Sequence, residues 1–257
     1  MKIILTWVLF IGVIAVNALA NILPINGMNT GQVSGFYPNA FVPAGFTFSI
    51  WGVIYCMLLS YTITFTYYTL KRDLNEKVYA FIERLNPYFL TTCVLNMGWI
   101  IAWHYLQIEL SVVIMLLFLI TLIQLFLKCR TGSIDLTSIQ RLLLYTPFMV
   151  YLGWISVATI ANITALLVSY KFTGFGLIPM YWSAIMILIA LLLSLVMVKK
   201  YHVVTFALVV AWAFWGIRAK QGQEYPLIQS ITTVSVLYLL VMIAITFTKR
   251  DSKNKLA

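Results

Sequence analysis

The chain reads as an all-α integral membrane protein with about eight transmembrane helices. Composition points there first: 62% of its 257 residues are hydrophobic and 9% are charged, against about 25% charged in an average soluble domain. Uncharged apolar stretches long enough to span a bilayer recur along the chain. A helix rising about 1.5 Å per residue needs roughly 20 residues to cross a hydrocarbon core of about 30 Å. The 17 basic residues outnumber the 7 acidic ones, and they gather between those stretches. That placement removes the nucleic-acid partner which a net charge of +10 would suggest in a soluble protein. With only 13 glycines and 7 prolines, disordered and collagenous classes are excluded as well.

Eight stretches have the required length, at about 3–22, 46–70, 87–106, 110–127, 142–170, 179–198, 201–217 and 225–248. The first has a second reading. Lys2, the apolar run Ile3 to Val16 and the triplet Ala18, Leu19, Ala20 also fit a signal peptide cleaved near residue 20. The sixth and seventh are separated by Lys199 and Lys200, and the eighth ends at Lys249 and Arg250. With the first residue inside, the inner segments hold Lys2, then Lys71, Arg72, Lys77 and Arg84, then Lys128, Arg130 and Arg141, then Lys199 and Lys200, then Lys249, Arg250, Lys253 and Lys255. The outer segments hold only Lys171, Arg218 and Lys220. The positive-inside rule therefore predicts both termini in the cytoplasm, in an arrangement that suits a bacterial inner membrane.

Several functions lose their chemistry at this stage. No Asp, Glu, Lys or Arg stands at the centre of an expected span, which argues against ion-coupled carriers and voltage sensors. Every lysine lies near a helix end, so a retinal Schiff base has no partner. Cys56, Cys93 and Cys129 are far apart and form no C-x-x-C, so they read as packing residues and no metal site is expected. His104 and His202 fall at span ends and are expected at the interface. Paired carboxylates, a Gly-rich phosphate loop and a nucleophile beside a histidine are all missing, so no catalytic residue and no required cofactor is expected.

What the chain does carry is a long uncharged loop and three aromatic stripes. Residues 23–45 hold Pro24, Gly27, Gly31, Gly35, Pro38 and Pro43 together with Phe36, Tyr37 and Phe41. A connection of that length is often a functional lid, here expected to be flexible in its middle. Tyr37, Pro43, Gly45 and Phe46 would form its lid and hinge. On the second span Phe48, Trp51 and Tyr55 recur at helical spacing; on the third, Asn96, Trp99 and Trp103; on the fifth, Tyr151, Trp154, Ala158 and Asn162. An asparagine in hydrocarbon must find a partner across a helix interface or bind a ligand, because an unsatisfied amide there costs several kcal/mol. Tyr181, Trp182, Tyr201, Trp212 and Trp215 read instead as interfacial belt anchors. A space lined by aromatics with a few polar groups would suit a flat apolar ligand.

These residues resemble the TspO/MBR family, the tryptophan-rich sensory proteins related to the mitochondrial translocator protein. Pro43, Gly45, Phe48, Trp51 and Tyr55 resemble P-P-G-W-x-F-x-x-x-W-x-x-L-Y at the start of the family's second helix. Asn96 and Trp99 resemble N-x-x-W of its third. Trp154 to Asn162 resembles W-x-x-F-A-x-x-L-N of its fifth, with the Trp-to-Asn interval kept. Ala44 stands where the family has a second proline, Phe46 where it has a tryptophan, and one residue fewer precedes Trp51. The resemblance covers roughly residues 3–170, which divides the chain into a five-helix unit, 1–170, and a further part, 171–257, with three additional helices and a basic tail.

The resemblance implies a five-helix bundle binding a porphyrin or haem, or a similar hydrophobic aromatic ligand, between helices 1, 2, 3 and 5 under the first loop. Carried over by position, Phe48, Trp51, Tyr55, Asn96, Trp99, Trp154, Ala158 and Asn162 would bind it. The family also implies a homodimer. The reading is thus a membrane receptor or sensor; the alternative is a carrier or facilitator for a small solute or lipid.

Overall fold

The computed structural model describes residues 1–131, 134–172, 176 and 178–255, the side chains of Leu74 and of 249–255 excepted. The basic side chains of the expected tail lie outside the described ones. Among the described residues the chain is helical and contains no strand. Its helices are α1 (Lys2–Asn21), α2 (Thr30–Gly35), α3 (Ile50–Leu70), α4 (Glu76–His104), α5 (Ile108–Thr131), α6 (Ser138–Leu144), α7 (Thr146–Ser169), α8 (Pro179–Tyr201), α9 (Val204–Gln221) and α10 (Pro226–Lys255).

Local chemistry sets several of these limits. The connection between α1 and α3 holds three short helical elements, Ile25–Gly27, Thr30–Gly35 and Gly45–Ser49, where a loop without regular structure is expected. Asn29 and Gln32 cap each other reciprocally, each side chain accepting from the other's backbone N–H at 2.8 and 2.9 Å, and so start α2. α4 begins eleven residues before the expected span because the Asn75 side chain accepts from Val78 N–H at 3.0 Å, and Pro87 is carried inside the helix. The expected span 142–170 is two helices. A capping box between Thr137 and Gln140 opens α6, and the chain breaks at Tyr145, before Pro147, which has no N–H to continue the ladder. α8 ends at His202, whose φ of 57° turns the chain into α9.

Among the described residues, six helical stretches are long and apolar enough to cross a membrane. The expected spans within α4 and α9 fall outside that set on composition, since Asn96 and His104 lower the hydropathy of α4, and Arg218, Lys220 and Gln221 lower that of α9. Both helices are largely buried against their neighbours. Elsewhere the distribution is that of a lipid-facing protein. Ile4, Val8 and Ile11 of α1 and Val113, Leu117 and Ile120 of α5 are exposed, while Thr6, Asn17 and Asn86 are buried.

The chain divides into two compact units. The first takes Met1–Val33 and Ser49–Ile155. In it α4 packs against α1, α3 and α5, while α1 and α6 pack on α3. One part of its core is aromatic, with the Tyr61 ring 4.7 Å from Phe148 and 5.0 Å from Phe89. The second unit takes Ser34–Phe48 and the residues from Ser156 onward, and in it α8, α9 and α10 pack pairwise on one another.

Candidate ligand-binding site

In the first unit, Trp51 stands at the second position of α3 and is 6% exposed. Four rings surround it. Tyr55, one turn on, stacks against it at 5.5 Å; Trp99 of α4 lies at 6.2 Å; Tyr151 and Trp154 of α7 meet it edge-on, each at 6.0 Å. Trp99 stacks in turn on Trp103 at 5.9 Å. These are the separations and tilts that aromatic quadrupoles favour.

An amide relay runs beside the rings. Asn17 Nδ2 donates to Val13 O at 2.9 Å and to Asn96 Oδ1 at 2.7 Å, and Asn96 Nδ2 donates to the Tyr151 hydroxyl at 2.9 Å. The two donors of Asn17 are therefore used and three helices are tied together. Among the described residues, Asn17 Oδ1, Trp51 Nε1 and the Tyr55 hydroxyl are buried on this cluster without a hydrogen bond of normal geometry. The Tyr55 hydroxyl still interacts with the amides of Asn96 and Asn17. Each such atom costs on the order of 1–3 kcal/mol in an apolar interior.

A second network pins the connection after α1 to the end of α4. Asn26 Nδ2 donates to His104 O at 3.0 Å, and Trp103 Nε1 donates to Thr30 O at 3.3 Å. His104 is fully buried, with Nδ1 2.8 Å from Ile100 O and Nε2 3.5 Å from the Thr30 hydroxyl. His104 is the last residue of α4, and residues folding back from the connection cover it.

Of the expected binding residues, Trp51, Tyr55, Asn96, Trp99 and Trp154 come together here. Phe48, Ala158 and Asn162 belong to the second unit, as do the lid residues Tyr37, Pro43, Gly45 and Phe46. Phe48 also precedes α3, in the tight turn Gly45–Ser49, so the α-helical spacing that linked it to Trp51 does not hold. Asn17 is the residue that the spacing arguments miss, although an amide in an apolar helix is the same signal that marks Asn96. In the second unit Phe46 lies edge-on to Trp212 at 5.5 Å, and Trp212 Nε1 donates to Thr47 O at 3.0 Å. Trp212 is therefore held by protein on its indole N–H while part of its ring stays exposed.

The family model for TSPO-like proteins matches residues 3–247. The chain belongs to the TSPO-like family. No curated protein and no solved structure matches it. The matched region runs well past residue 170, so α8, α9 and most of α10 lie within the TSPO-like match, beyond the motifs that carry the resemblance in sequence. For a TSPO-like membrane protein, the Trp51 cluster is then where ring stacking and open hydrogen-bonding capacity coincide.

Proposed function

We propose that this TSPO-like protein is a membrane receptor or sensor that binds a flat hydrophobic aromatic ligand, such as a porphyrin, against Trp51 between α1, α3, α4 and the first half of α7. The observation that carries the reading is that Asn17 Oδ1, Trp51 Nε1 and the Tyr55 hydroxyl are buried without hydrogen bonds of normal geometry among the described residues, on a surface otherwise made of rings. A flat ligand would stack on the rings and meet a donor, an acceptor and a hydroxyl that serves as either. The positive-inside count supports cytoplasmic termini and an inner-membrane setting.

The test is a titration of the detergent-solubilised protein with protoporphyrin, followed by tryptophan fluorescence beside an unrelated membrane protein. Saturable quenching at about micromolar ligand, weakened in Trp154→Ala, is expected. Quenching equal to that of the unrelated protein would contradict the reading, and solute counterflow in liposomes would then test a carrier.

A further inference from the structure

The segment Ser34–Phe48 is flanked in sequence by α2 and α3, yet it clusters with the later helices. Its contacts with α9 are specific. Gln221, 6% exposed, donates from Nε2 to Asn39 O at 3.2 Å and to Val42 O at 3.0 Å. Ala44 N–H donates to Gly216 O at 2.9 Å, and Trp212 Nε1 donates to Thr47 O. Residues 40–43 and Thr47 are buried. Position 216 admits only glycine: a Cβ there would stand 2.9 Å from both Cβ and Cγ2 of Thr47 and closer still to its Oγ1. Three carbonyls and one N–H of the segment 39–47 are thus satisfied by a single helix, on a largely buried stretch of chain.

Thr47 is four residues before Trp51, with no break in the backbone between them. We propose that α9 is a positioning element: Trp212, Gly216 and Gln221 latch the backbone of 39–47 and, through the turn Gly45–Ser49, fix where α3 starts and how Trp51 is set. The consequence for affinity rests on the ligand reading above; the latch itself does not.

The experiment uses the full chain in lipid nanodiscs, with Gln221→Leu, Gly216→Ala and the double variant Gly216→Ala/Thr47→Gly. Hydrogen exchange is read over 39–47, and the fluorine NMR shift of Trp51 is read in protein labelled with 5-fluorotryptophan. Gln221→Leu and Gly216→Ala are expected to speed exchange in 39–47 by about tenfold, the scale of one or two lost hydrogen bonds. They should also move the Trp51 resonance, and removal of the whole Thr47 side chain, Cβ included, should restore most of both effects in the double variant. Unchanged exchange in Gln221→Leu and Gly216→Ala overturns the latch. Faster exchange with an unmoved Trp51 resonance overturns the positioning role. Protoporphyrin affinity, measured on the same samples, is expected to fall with the Trp51 shift. If the wild type does not bind protoporphyrin, the ligand reading fails, while the latch is still decided by the two ligand-free readouts.

Discussion

Asn96 shows how much one side chain carries. Replacing it with leucine removes the acceptor of Asn17 Nδ2 and the donor to the Tyr151 hydroxyl. Each group left behind costs about 1–3 kcal/mol in a dry interior, so Asn96→Leu is expected to lower the thermal midpoint in detergent markedly. A midpoint equal to that of the wild type would remove the relay from the account. Binding at the proposed site is also expected to be insensitive to pH. Asn17, Trp51, Tyr55, Asn96, Trp99, Tyr151 and Trp154 are amides, indoles and phenols, whose protonation states do not change between about pH 5 and 9. The affinity of an uncharged ligand should be flat across that window, and a titration step within it would implicate another group. Much of this was legible in advance, since Trp51, Tyr55, Asn96, Trp99 and Trp154 announce themselves by spacing. Asn17 was less so, because it sits in a stretch that also reads as a signal peptide. The burial of His104 was not legible, because it depends on Asn26 and Thr30, over seventy residues away in sequence.

At the scale of elements, the apolar runs locate the membrane-crossing helices but not their ends. Hydropathy reads α4 only from Pro87, because its first turns carry Glu76, Lys77, Glu83 and Arg84; the cap at Asn75 sets its true start. Asn75→Ala should therefore cost about 1 kcal/mol and raise hydrogen exchange in the first turn of α4 without altering the Trp51 cluster. Equal exchange in that turn would show that the cap is idle. The salt bridge from Lys2 to Glu83, whose carboxyl the Lys2 ammonium holds below its ordinary range, ties the same part of α4 to α1. A carboxyl with a depressed folded pKa stabilises above its unfolded value and loses that contribution as pH falls through the folded one. The pair is exposed, so its share is small. Elements in the first connection escape hydropathy altogether, since α2 is built from a reciprocal Asn29 and Gln32 cap and the 39–47 segment from bonds to α9.

For the whole molecule, composition alone establishes an all-α membrane protein, and the motifs point to the family that the match over residues 3–247 shows. Where the units divide is not legible, because α7 runs from one unit into the other and the segment 34–48 joins helices far along the chain. Orientation is tested by reporter fusions after Arg84 and after Lys171: a cytoplasmic signal at the first and an external one at the second are expected, and the reverse would overturn the charge argument. The most direct test of the binding site is the dissociation constant of protoporphyrin for Trp51→Ala beside Trp215→Ala, whose indole is half exposed in the second unit. Loss of the Trp51 ring is expected to weaken binding about tenfold or more, the size of one lost stacking contact, while Trp215→Ala binds as the wild type does. Equal affinity in both variants would contradict a ligand site built on Trp51.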